Sequence, residues 1–213
     1  MTQTSEPFSL DCANHTSLPV QDHGGRAYCY NCVIETFQTQ AYNLARRMLN
    51  DWALAEDALQ ESFLSGYRAF HNFRGDNLKA WVLKIVANTC RDMLRARKSR
   101  PAVSLDPLPA DPQSDNPTQS VVDFPSRSES PEDHAERGEL RQAIEAGLNS
   151  LSEEQRLAVV LVDVQGMSYE EAGLIMNCSL GTVKSRVSRG RSGLRDFLRA
   201  TGELLPSQFR QDK

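Results

Sequence analysis

The chain has 213 residues, with 24 basic and 28 acidic side chains, a formal net charge of −4 and 39% hydrophobic residues. That is room for one or two soluble domains, and no apolar run approaches the roughly 20 residues of a membrane-spanning helix. The N-terminus lacks a basic stretch leading into an apolar core, which argues against a secretory signal and for a cytoplasmic protein. The total charge conceals an asymmetry: segments 26–100 and 172–200 each carry +5, whereas 101–138 carries −6 and 139–171 carries −5. Two basic blocks separated by acid point to polyanion binding through local potential.

Residues 1–25 are polar, contain Pro7, Pro19, Gly24 and Gly25, and have no hydrophobic period, so they read as a flexible tail. The tail's chemistry is Cys12-x2-His15, followed by Cys29-x2-Cys32 where the first helix begins. These four soft or borderline ligands are a candidate tetrahedral zinc set, with His23 in reserve. A thiol redox pair at Cys29 and Cys32, and cysteines with no special role, are the alternatives; no other cofactor is implied. Five cysteines in a chain without an export signal read as thiols or ligands, not as a disulfide framework.

Residues 26–100 read as three helices. The first, from Tyr28, has an apolar face of Val33, Phe37, Leu44, Ala45, Met48 and Leu49, with Tyr42 loosely on it, and ends at Asn50. Asp51 can cap the second, which turns Ala55, Ala58, Leu59, Phe63 and Tyr67 inward and Glu56, Asp57, Gln60 and Glu61 outward. After Phe70 the polar segment 71–77, containing Gly75, is a loop. A third helix over Leu78–Lys98 places Trp81, Ile85, Cys90 (or Thr89) and Leu94 inward and Lys84, Asn88, Arg91, Arg95, Arg97 and Lys98 mostly outside. Residues 101–136 hold seven prolines among Ser, Asp, Gln and Asn, and form a flexible linker with a reach of about 30–36 Å.

Residues 137–200 read as four helices, and 201–213 as a frayed tail. Leu140, Ile144 and Leu148 mark the first helix; Ser152 with Gln155 caps the next, which Gly166 ends. Ser168 with Glu171 forms another capping box before Ala172, Ile175 and Met176. Residues Asn177–Ser179 break the pattern. In the last helix Val183, Val187, Leu194 and Leu198 form one stripe, and the other faces carry six basic residues. A short helix, a tight turn and a basic second helix make a helix-turn-helix. Thr182, Lys184, Ser185, Arg186, Ser188, Arg189 and Arg191 are then placed to reach bases or phosphates. Gly190 and Gly193 each cost about 1 kcal/mol relative to Ala in a helix interior, and Gly190 is expected to weaken or bend it.

The run from Ala55 to Lys98, through Asp57-x2-Gln60-Glu61, Phe73-Arg74-Gly75, Trp81 and Asn88 with Asp92 and Arg95, resembles region 2 of bacterial RNA polymerase sigma factors. It is similar in particular to the extracytoplasmic-function (ECF) group. The TVKSR-x3-R-x-R pattern from Thr182 to Arg191 resembles region 4 of the same family, from which Gly190 departs. The resemblance implies an all-α chain of two small helical domains joined by a flexible, Pro-rich, acidic linker. It implies a non-enzymatic specificity subunit that binds the β′ and β subunits of core polymerase and promoter DNA, under an anti-sigma factor. Asp57, Gln60 and Glu61 would dock the polymerase. Asn72, Phe73, Arg74, Asn77, Lys84, Asn88, Arg91 and Arg95 would meet the −10 element, with Phe70 and Phe73 equally placed as core. The helix-turn-helix residues would meet the −35 element. A stand-alone operator-binding regulator, or a metal- or redox-sensing protein built on the Cys/His cluster, are the rival readings.

Overall fold

Helix α1 (Tyr30–Leu49) is framed by its caps: Cys29 in extended conformation at its start, and Asn50 in the left-handed region (φ 53°) at its end. Asp51 then accepts from the Leu54 amide at 3.1 Å and starts α2 (Trp52–Phe70). Asn77 does the same for α3 (Leu78–Ser99), accepting from the Ala80 amide at 2.8 Å. In this computed structural model the described residues are 20–21, 27–74, 77–99 and 131–200. Segments 101–130 and 201–213, and most of 1–25, lie outside them.

Two sequence expectations change here. Val20–Gln21, within the segment read as a tail, is a strand (β1) paired antiparallel with β2 (Ala27–Tyr28), Val20 opposite Tyr28. Helix α4 (Pro131–Ser150) starts inside the segment read as linker, because proline fits the first helical position, where its missing N–H costs nothing.

Helix α5 (Glu153–Val159) starts at Ser152, whose hydroxyl accepts from the Gln155 amide at 3.4 Å. It runs into a π-helical turn over Val160–Val164, closed by the Gln165 amide on the Val160 carbonyl at 2.9 Å. Gly166 (φ 64°) reverses the chain. The capping box of Ser168 and Glu171 forms in both directions, at 3.1 and 2.8 Å, and opens α6 (Tyr169–Met176). Asn177, also left-handed (φ 52°), ends α6; Ser179 caps α7 (Leu180–Ala200) through the Thr182 amide at 3.3 Å.

The two helical units share one core. Leu44, Met48, Leu83, Val86 and Cys90 of the first are continuous with Leu157, Leu161, Ile175, Met176, Val183 and Val187 of the second. Arg156 bolts the seam. Its guanidinium donates to the carbonyls of Met48 (2.8 Å), Leu148 (2.9 Å) and Asn149 (2.8 Å), at the carboxyl ends of α1 and α4. A cation suits those helix ends. Burial lowers the Arg156 pKa, while Glu153 opposes the shift.

The inward face of α3 is also corrected. Val82, Leu83, Val86, Ala87 and Cys90 are buried, whereas Trp81, Ile85 and Leu94 are half-buried. Helix α3 packs against α1 and α2 on one side and α6 on another, so its buried arc is wider than a single stripe.

Gly190 does not break α7, and it lets α7 approach α5. A Cβ there would stand 2.5 Å from Val159 Cγ2 and 3.2 Å from the Gln155 carbonyl oxygen, and α7 continues through it unbroken.

Candidate nucleic-acid interface

On α2, Asp57, Gln60 and Glu61 are all exposed on a rigid helix, as a face for a cationic partner requires. Beside them stand three exposed apolar side chains that the sequence reading missed or misplaced: Trp52, Leu64 and Tyr67. Tyr67, expected inside, is 67% exposed, with its ring edge on Tyr30 at 5.5 Å. Helical periodicity puts it at the border of the apolar stripe, where either outcome fits the sequence.

For Phe73 the sequence left core and DNA contact equally open. The side chain is only 5% exposed and packs on Trp81 at 5.3 Å, so in this structure it is core and not a base-catching aromatic. Phe70 is buried with it, between Tyr30 (5.1 Å) and Trp81 (6.1 Å). Beneath them the Tyr30 hydroxyl donates to the Phe63 carbonyl at 2.5 Å; burial pushes its pKa up to about 12 and keeps the donor proton in place. On this aromatic floor Asn72 and Arg74 are exposed. Arg74 donates to the carbonyls of His71 and Phe73 at 2.9 Å each, which fixes the start of the loop.

The basic face of α3 is turned toward the second unit. Asn77, the α3 cap, donates its amide to Glu171 at 2.6 Å. Lys84 lines a cleft with Tyr169, Gly173, Asn177 and Cys178. Arg91 meets Glu154 at 3.4 Å, and Lys98 is paired with Glu153. Asn88 remains exposed, and so does Arg95, which pairs with Asp92 on its own helix at 2.9 Å.

The second helix of the helix-turn-helix is partly open. Lys184, Ser188 and Arg189 are exposed; Thr182 and Ser185 are half-buried, and the Ser185 hydroxyl donates to the Thr182 carbonyl at 3.0 Å. Lys184, Ser188, Arg191, Ser192 and Arg195 line a groove beside Tyr169, a run of donors suited to phosphates. Arg191 is held by Asp163 through two hydrogen bonds, at 3.1 and 2.5 Å, which raise its pKa. Asp163 projects from the π-helical turn, which explains how that turn bears on α7. Arg186 is held by Glu154 at 2.8 Å, so a single carboxylate lies between the arginines of α3 and α7. Sequence spacing gave no sign of this bridge.

Among the described residues no group of three or more His, Cys, Asp or Glu is placed to hold a metal, and no helix is long and apolar enough to cross a membrane. Cys12 and His15 lie outside the described residues.

Two basic helices, one in a helix-turn-helix, and a separate acidic face give an all-α chain surfaces suited to a polyanion and to a cationic protein partner. Comparison with known proteins names the family. Sigma-70 region 2 matches residues 33–100, and Sigma-70 region 4 matches residues 141–194. The ECF RNA polymerase sigma factor SigE of Mycolicibacterium smegmatis is 36% identical over 75% of this chain and 57% of its own length. The RNA polymerase sigma-H factor of Pseudomonas aeruginosa and the ECF RNA polymerase sigma-E factor of Escherichia coli are each 32% identical, over 80% of this chain and 86% of theirs. Among solved structures, the sigma factor RpoE in complex with the anti-sigma factor NepR, from Bartonella quintana, aligns with TM-score 0.59 and 27% identity. That alignment covers 80% of this chain and 96% of RpoE. CnrH, solved with the cytosolic domain of CnrY, shares the fold at TM-score 0.56 and 22% identity, over 80% and 88% of the two chains. The chain belongs to the sigma-70 family of RNA polymerase sigma factors, in its ECF group.

Proposed function

We propose that this chain is a dissociable specificity subunit that binds core RNA polymerase, carries it to promoters through −10 and −35 contacts, and assists DNA opening. The observation that carries the reading is the open carboxylate face of α2 in the same chain as a basic helix-turn-helix, with family matches to both. Asp57, Gln60 and Glu61 dock the polymerase, and the exposed Trp52, Leu64 and Tyr67 widen that contact. Exposed aromatic and apolar side chains beside charge are what a buried interface core uses. Lys184, Ser188 and Arg189 meet the −35 element, Lys and Arg mainly through phosphate. Asn72, Arg74 and Asn88 meet the −10 strand.

Of the other −10 and −35 candidates, Asn77, Lys84, Arg91, Arg186 and Arg191 reach DNA once Glu154, Glu171 and Asp163 release them or the two units part. Binding of the polymerase and DNA supplies the competing contacts. An anti-sigma partner belongs to this reading, since the RpoE relative was solved with one. Such a partner would hold the closed arrangement.

The test is gel retardation of a promoter-fragment library by the chain alone, by core polymerase alone and by both. Specific retention of a sequence subset only by the mixture is expected. Retention of the same subset by the chain alone, as a dimer, would replace this reading with that of a stand-alone regulator.

A further inference from the structure

The Sigma-70 region 2 match begins at residue 33, so the cap and first turn of α1 lie outside it. Five helices of the chain start on a side-chain oxygen: Asp51, Asn77, Ser152, Ser168 and Ser179 accept the capping hydrogen bond for α2, α3, α5, α6 and α7. Helix α1 starts on sulfur. Cys29, in extended conformation (φ −95°, ψ 146°), accepts from the Cys32 amide at 3.3 Å. A thiol is a weak acceptor, so capping alone does not account for this choice. The capping geometry also brings the side chain of the third helical residue back over the cap, and that residue is Cys32. The Cys29 thiol donates to the Cys32 sulfur at 2.9 Å.

We propose that Cys29 and Cys32 are a redox modification site, closing to a reversible disulfide by exchange with a small disulfide oxidant and so clamping the first turn of α1. The thiolate of one cysteine attacks the oxidant's S–S bond and expels one thiol. The second sulfur then attacks the mixed disulfide and expels the other. The two protein thiols lose two electrons and two protons, and one oxidant disulfide becomes two thiols. The sulfurs need only close from contact to an S–S bond of about 2.05 Å. Negative charge on the attacking Cys29 sulfur is favoured by the Cys32 amide and by the amino end of α1.

Access sets the rate. Cys29 and Cys32 are 1% and 5% exposed, so an oxidant reaches them when the first turn opens, and helix ends open at low cost. Cys90 is the contrast: it is buried inside α3, and burial pushes its thiol up to about 12, which keeps it protonated and inert. The disulfide would enclose Tyr30 and Asn31. Tyr30 donates to the Phe63 carbonyl and packs on Phe70, so the clamp steadies the aromatic floor under the loop after α2. The site needs neither polymerase nor DNA and does not rest on the sigma-factor reading.

The full chain is equilibrated with reduced and oxidised glutathione over a range of ratios, quenched in acid, alkylated and digested for mass spectrometry. As the oxidised share rises, the peptide holding Cys29 and Cys32 should lose two hydrogens, take up no alkylating group, and revert with dithiothreitol. Cys12→Ser and Cys178→Ser should keep this behaviour. Cys29→Ser, which retains a capping oxygen and so the helix start, should abolish it. Hydrogen exchange in residues 28–37 should slow several-fold in the oxidised chain. Full alkylation of both cysteines at every glutathione ratio would overturn the proposal. So would a disulfide joining either of them to Cys12, or unchanged exchange at the start of α1 in the oxidised chain.

Discussion

On α2, Asp57, Gln60 and Glu61 stand in solvent; on α3, in the same helical unit, Asn77, Arg91 and Lys98 are held by carboxylates of the other unit. The face proposed to meet the polymerase is open, and much of the face proposed to meet DNA is covered. Magnitudes say what does the covering. Exposed ion pairs contribute roughly 0.2–1 kcal/mol each, so Glu153 and Glu154 cannot hold the units together alone. Fully burying one Leu or Ile contributes about 1.5–3 kcal/mol, and the shared core buries Leu157, Leu161 and Ile175. The apolar seam and Arg156 therefore hold the arrangement, while the carboxylates decide which cations it silences.

Arg156→Ala should break this comparison most. It leaves the Met48, Leu148 and Asn149 carbonyls without their donor at the seam, a loss of about 3 kcal/mol. Urea denaturation should give a clearly lower midpoint; an unchanged midpoint would show that the seam does not need the bolt. Gly190→Ala comes next, at about 1–3 kcal/mol, because the added methyl meets Val159 and the Gln155 carbonyl. The thermal midpoint measures it, and stabilisation would show that α5 and α7 can part without cost.

Glu154→Ala sharpens the comparison without touching the core. It frees Arg91 and Arg186, so the isolated chain should bind duplex DNA about 3- to 10-fold more tightly at low salt, with a steeper salt dependence. Unchanged affinity in a fluorescence-anisotropy titration would take both arginines out of the DNA contact. The smallest effect is on pH. Burial pushes the Tyr30 hydroxyl and the Cys90 thiol up to about 12 in the folded chain, from their ordinary 10.0 and 9.0. Their contribution to stability is intact below pH 9 and lost as pH rises toward 12. Tyr30→Phe should flatten the upper part of that decline in a series of thermal melts.

Most helices were legible in the sequence because their signals are local. Ser168 with Glu171, Asp51 as a cap, and Asn177–Ser179 as the turn each need only a few neighbouring residues. The face of α3 was less legible, since periodicity reports one buried stripe and α3 has two sets of neighbours. Tyr67, expected inside, sits at the edge of an apolar stripe, and Phe73, left open between core and DNA contact, lies in the loop after α2; packing by Tyr30 and Trp81 decides each. The bridges from Asn77 to Glu171 and from Arg91 through Glu154 to Arg186 were not legible, because no periodic signal links positions so far apart. Gly190 looked like a defect because its partner, Val159, lies on another helix.

Run-off transcription with purified core polymerase on promoter-selected templates tests the central claim most directly, comparing wild type with an Asp57→Ala/Glu61→Ala double variant. Wild type should give discrete promoter-dependent transcripts, and the variant should lose most of them at limiting concentration and recover part at high concentration, as weakened docking requires. Equal transcription by the two proteins would show that the open face of α2 is not where the polymerase binds, and no transcripts from wild type would contradict the account as a whole.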